Sequence, residues 1–381
     1  MSSFTQWTCS VFFQRIVMKA FLLICLALLI VPSLVNSEAL RTASTPGGAW
    51  MMAPEKFLDA RWDVEKLEAA KSHWEAMRQK KTSIALFVVD SGYVVLALCP
   101  VDKPLKCHSV RKSFLNSLYG VLDSKGSLDL DMTLKSLNIN DLTPLNSEEK
   151  KATIRDLMKC RSGVYLPAEA ETSAMRAKKL KRGSYPRDSF YYYSNWDFNV
   201  LGGIYRKLTG SDIFLDFSTE IASPLGMQDF DYKMDTYYWH NNEDNPQSAY
   251  PAYHFNMSVR DRARFGLLFL RNGKWNDEQV ISGDWIKSTS TDYSNHETDP
   301  EQLADGKGNG LLWWVSDTGW LYGQKFEGQP YSARGVSGQF IAVVPSENLI
   351  ITHANDTSAK GWEPSGEQRN KLVELIAAAK K

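Results

Sequence analysis

Apolar positions change their period along this chain. Val64–Met77 places Leu67, Ala70, Trp74 and Met77 at helical spacing and predicts an amphipathic helix. Two apolar, β-branched runs follow, Ser83–Val89 and Tyr93–Cys99. Asp90-Ser91-Gly92 between them predicts a hairpin. A loop leads to a strongly apolar helix over Ser109–Leu122, with Phe114, Leu115, Leu118, Tyr119 and Leu122. The middle reads as helices and long loops. Helices are expected at Ser147–Lys159, at Asp197–Leu208 (closed by Thr209-Gly210) and at Arg260–Arg271 (ended by Asn272-Gly273). The last third returns to strand-like runs, Gly310–Ser316, Gln339–Val344 and Leu349–His353, with a turn at Pro345–Asn348. A final helix covers about Glu367–Lys380. Strands at both ends and helices between them predict an α+β protein. Its two ends share one antiparallel sheet flanked by terminal helices (about 52–108 and 305–381), and residues 109–304 form an all-helical lobe.

Composition supports a sizeable core in a 381-residue chain, with 43% hydrophobic and 12% aromatic residues. Lys+Arg and Asp+Glu are both 44, so nothing electrostatic argues for a nucleic-acid partner. The first 37 residues carry only Arg15 and Lys19 as charges. They contain the apolar run Ala20–Val31 and end with small residues at Val35 and Ser37, the pattern of a secretory signal peptide with Met1 or Met18 as its start. The mature chain, 38–381, is then expected in the periplasm or outside the cell, with no membrane anchor left after cleavage. It would keep Cys99, Cys107 and Cys160, and Cys99–Cys107 is the best candidate disulfide, with three reduced thiols the alternative. The six histidines show no HxH or HExxH spacing, so no metal is expected. No glycine-rich phosphate-binding signature occurs, so no cofactor is expected either.

Three segments carry chemistry. Ser109 and Lys112 stand one helical turn apart at a helix start that must be buried. There a desolvated lysine loses its proton and activates the serine, and the positive helix end favours an oxyanion. A second Ser-x-x-Lys, Ser147–Lys150, reads as an ordinary helix cap. Tyr193-Ser194-Asn195 offers a phenol to relay a proton and an amide to hold a carbonyl. A second copy, Tyr293-Ser294-Asn295, lies in an unpatterned polar stretch. Gly335-Val336-Ser337-Gly338-Gln339 sits just before a strand, where small residues let backbone N–H groups approach a ligand.

Taken in order, these segments resemble the penicillin-recognising serine hydrolases. The resemblance is strongest to the branch with class C β-lactamases, β-lactamase-fold esterases and 6-aminohexanoate-dimer hydrolases. It extends through HSVRKSFLNSLYG, ATIRDLMKCRSGVY, YYYSNWDFNVLGGIY, SPLGM, RDRARFGLLFLRNGKW and SGQFIAVVP. It implies acyl transfer with Ser109 as nucleophile and with Lys112 and Tyr193 moving the proton. The N–H groups of Ser109 and Gln339 would form the oxyanion hole, and Asn195, Ser337 and Gly338 would contact a small ester or amide substrate. One departure matters: Val336 occupies the place where relatives acting on β-lactams or cell-wall peptides carry a cation able to pair with a carboxylate. Esters and linear amides are therefore expected before those substrates. A catalytically silent sensor is the contrasting reading, and the retention of Ser109, Lys112 and Tyr193 argues against it.

Overall fold

The computed structural model describes residues 48–78, 84–294, 308–358 and 363–381. The expected signal segment, 1–37, lies outside the described residues. Helix α1 (Val64–Arg78) precedes the hairpin β1 (Ile84–Asp90) and β2 (Tyr93–Leu98). A short strand β3 (Leu105–Lys106) and one 3-10 turn lead into α2 (Arg111–Ser124). The middle contains α3 (Ile154–Met158), α4 (Asn195–Thr209), strands β4 (Thr236–Trp239) and β5 (Ala252–Met257), and α5 (Val259–Leu270). Strands β6 (Gly308–Asn309), β7 (Trp314–Val315), β8 (Tyr331–Gly335), β9 (Gln339–Val344) and β10 (Leu349–Asn355) follow, and α6 (Gly366–Ala379) closes the chain.

The main sheet runs β2-β1-β10-β9-β8-β7-β6, and its ladders are antiparallel. The first hairpin therefore pairs with strands from the far end of the sequence. Both faces are covered, which is why β1, β9 and β10 are buried throughout. Leu86, Val88, Ala342 and Ile351 pack with Leu67, Trp74, Leu372 and Ile376 of the terminal helices. Ala85, Phe87, Ile341 and Ile350 face the other way, in the same core as Phe265 and Phe114. Gly266 of α5 permits close packing there: a Cβ on it would lie 2.9 Å from Ile341 Cγ2.

The α+β class expected from the pattern is the one observed, with differences in detail. The middle is not all-helical: β3, β5 and β4 form a small antiparallel sheet. The run AYHFNM mixes polar and aromatic residues, and its strand character comes from tertiary packing. Tyr253 and Phe255 point into the helical core, while His254 lies tilted against its cross-strand partner Tyr237. The helix expected over Ser147–Lys159 is broken. A 3-10 turn at Glu149–Lys151 ends at extended Ala152, and Thr153 starts α3 with a reciprocal capping box to Asp156. Gly310–Ser316 is not one strand, because Leu312 adopts a left-handed backbone (φ 61°) between β6 and β7. The expected Cys99–Cys107 disulfide is absent. Cys107 is buried, its sulfur 3.7 Å from Leu105 O, whereas Cys99 is exposed; all three described cysteines are free.

Candidate active site

The two short pieces of structure before α2 decide where Ser109 stands. Cys107 N–H bonds to Phe255 O of β5, and His108 takes a left-handed backbone (φ 49°). The chain then turns through His108–Val110 into α2. This places half-buried Ser109 at the positive end of a buried helix and Lys112 one turn further in.

Lys112 is the hub. Its Nζ lies 3.0 Å from Ser109 Oγ, 2.5 Å from Tyr193 Oη and 2.9 Å from Asn195 Oδ1. It also sits 4.3 Å above the Tyr193 ring and 4.2 Å from the Phe198 ring centroid. Burial drives its pKa well below the ordinary lysine value, and neighbouring Arg111 lowers it further. Burial also raises the Tyr193 phenol, against a smaller opposing effect of its hydrogen bond with Ser109. Tyr193 is therefore a phenol and not a phenolate. Its ring is fixed between Trp314 of β7, stacked at 5.4 Å, and Phe198 of α4, edge-on at 4.9 Å.

Helix α4 brings in the second segment. Ser194 caps it by accepting from Asp197 N–H, which fixes Asn195 in the first turn. The Asn195 amide bridges Lys112 and Ala170 O, at 2.8 Å. It thereby links the amine to the long 161–188 segment. Beneath lies Asp197, whose carboxyl accepts from Ser162 Oγ at 2.8 Å; burial raises its pKa well above the ordinary aspartate value. Cys160 is buried in the same region, and desolvation raises its thiol strongly.

The third segment is not a loop before one strand but the turn of the β8–β9 hairpin. Ser337 (φ 62°) and Gly338 (φ 80°) both adopt left-handed conformations in that turn. Gly338 O accepts from buried His353 Nδ1 at 2.6 Å. The hairpin end lies against the serine: a Cβ placed on Gly335 would be 2.6 Å from Cys107 O and 3.1 Å from Ser109 N. Val336 is exposed at the tip. Arg334 Cζ lies 5.8 Å from the Trp314 ring, behind Tyr193.

The structure thus gathers Ser109, Lys112, Tyr193 and Asn195 within direct hydrogen-bonding distance and brings the Gly335–Gln339 hairpin beside them. The duplicate motifs lie elsewhere. Ser147 is exposed, and Tyr293 lines a separate cavity of about 450 Å³ with Trp285 and Lys159. Sequence reasoning missed Asp197, Cys160, Trp314, Arg262 and His353. None belongs to a recognisable spacing; Asp197, Arg262 and His353 are revealed by burial of a polar group, Trp314 by its stacking on Tyr193, and Cys160 by its place in the core beside Lys112. Ser162 is the partner of Asp197. Among the described residues no cluster of His, Cys, Asp and Glu is arranged to hold a metal, and no helix is long and apolar enough to cross a membrane.

A serine at a buried helix start, a buried lysine and a phenol thus stand in hydrogen-bonding contact, and the comparison with known families gives the class of the chain. The Beta-lactamase family model matches residues 60–377, and the chain belongs to that family. Solved structures share the fold at low identity. A class C β-lactamase captured with cefoxitin is 15% identical over 83% of this chain and 99% of its own, with a TM-score of 0.60. An octameric penicillin-binding protein homologue from Pyrococcus abyssi is 21% identical over 83% and 78%, TM-score 0.59. EstCE1, a hydrolase with promiscuous acyltransferase activity, is 14% identical over 82% and 100%, TM-score 0.59.

Proposed function

We propose that this protein is an exported serine hydrolase that cleaves a small ester or linear amide through an acyl-enzyme on Ser109. The observation that carries the reading is Lys112: a buried amine, depressed in pKa, in contact with both the Ser109 hydroxyl and the Tyr193 phenol. Ser109 Oγ attacks the substrate carbonyl while its proton passes to the Lys112–Tyr193 pair. Because Tyr193 is held neutral, it relays by accepting one proton as it gives up another. The carbonyl becomes an oxyanion facing the N–H groups of Ser109 and Gln339. Collapse expels the alcohol or amine, which takes the relayed proton. Water then attacks the acyl group by the same route in reverse and frees Ser109. Asn195 orients Lys112 and borders the substrate, with Ser337 and Gly338 opposite.

Esters and linear amides are favoured over β-lactams and cell-wall peptides because exposed Val336 offers no cation for a substrate carboxylate. The test is intact mass after exposure to a fluorophosphonate, with turnover of a p-nitrophenyl ester, for wild type and Ser109→Ala. One adduct and ester turnover are expected in the wild type and neither in the variant. A folded wild type with no adduct and no turnover would make the sensor reading the correct one.

A further inference from the structure

We propose that Arg262 is a positioning residue that sets the geometry of the oxyanion hole; this rests on the hydrolase reading above. Arg262 lies in the first turn of α5 and is fully buried, and among the described residues no carboxylate is paired with it. Its donors go instead to oxygens from four different strands. Nη2 donates to Leu105 O of β3 at 2.7 Å, and Nε to Met257 O of β5 at 3.1 Å. Nη1 donates to the Gln339 side-chain Oε1 of β9 at 2.9 Å and to His353 O of β10 at 3.3 Å. The guanidinium also contacts the Cys107 sulfur, and burial lowers its pKa.

These oxygens are not a random set. Leu105 and Cys107 lead directly into Ser109, one member of the hole. Gln339 is the other, and its side chain is gripped at both ends, since its Nε2 donates to Asn355 O at 2.6 Å. His353 supports the hole from behind through Gly338 O. A single planar fork with five rigid donors thus ties both halves of the hole to one buried point. Lysine has no such fork and cannot reach the same acceptors together. A buried cation is costly unless its donors are satisfied, so its retention here calls for a reason beyond packing. Misplacing a donor by about 1 Å costs on the order of 10²-fold in rate, so the precision has a consequence for turnover.

Arg262→Lys is expected to lower kcat about 10- to 100-fold while KM stays within about twofold, the signature of an interaction expressed in the transition state. Affinity for a simple boronic acid, whose tetrahedral adduct fills the hole, falls by the same factor. Gln339→Met leaves Arg262 in place, removes the Oε1 acceptor and keeps the backbone N–H, and it produces a similar loss. The double variant is then no worse than the poorer single one. If Arg262→Lys fails to fold, Gln339→Met carries the test. Folded variants with unchanged kcat, or with kcat reduced but boronic acid affinity intact, would overturn the proposal while a reactive wild type leaves the hydrolase reading standing. A wild type inert to fluorophosphonate and ester overturns both.

Discussion

Lys112 shows how one residue's chemistry is set by its surroundings. In water its amine is charged at pH 7. Here burial, and after it the neighbouring Arg111, oppose that charge. The sign of the pH dependence follows. Protonation destroys the base, so kcat/KM falls as pH decreases, and the fall begins below the ordinary lysine range because the amine's pKa is depressed. Lys112→Arg keeps a permanent cation in place of a base and should lose about 10²–10⁴-fold in kcat/KM. Its pH–rate profile should lack the acid limb assigned to the amine. A Lys112→Arg enzyme within a few-fold of wild type would remove Lys112 from the proton path.

The β8–β9 hairpin is the element that completes the site. Gly335 has an ordinary extended backbone (φ −132°), so its role is close approach and not a special conformation. A methyl group there would meet Cys107 O and the Ser109 nitrogen, both backbone atoms that cannot swing aside. Gly335→Ala should therefore cost about 1–3 kcal/mol of stability by overpacking. It should also slow fluorophosphonate labelling by pushing the two sides of the hole apart. Thermal unfolding and labelling rate check the two effects separately, and a variant with wild-type labelling would show that the hairpin end does not define the hole.

At the scale of the whole molecule, buried His254 and His353 and half-buried His108 stand around the junction of sheet and helices. Burial lowers His108 to about 4, His254 to about 2 and His353 to about 4. His353 is fully buried behind Gly338. A base whose folded pKa is depressed gives stability that is complete above its unfolded value, near 6.5, and is lost as pH falls toward the folded value. Between pH 7 and pH 4 the wild type should therefore lose about 3 kcal/mol more than His353→Asn, which keeps a donor for Gly338 O without a titrating ring. Urea unfolding at the two pH values checks this, and equal losses would refute it.

Local signals in the sequence determined much of this protein. The helical spacing of Leu67 and Trp74, the Asp90–Gly92 turn and the cap pair Ser194 and Gly210 act within a few residues, and each element they imply is present. The same holds for Ser109 and Lys112, whose mutual distance follows from one turn of helix. Tertiary structure decided the rest. Strand β5 exists because Tyr253 and Phe255 find an aromatic core, β8 because it has β9 to pair with, and the extended backbone at Ala152 divides what reads as one helix. Tyr193 meets Lys112 only because α4 packs beside α2, and Arg262 becomes a common anchor for four strands only when they converge. Hydrogen bonds of one helical turn are written in adjacent residues, whereas burial, which depresses the pKa of Lys112 and gathers the acceptors of Arg262, is a property of the assembled molecule.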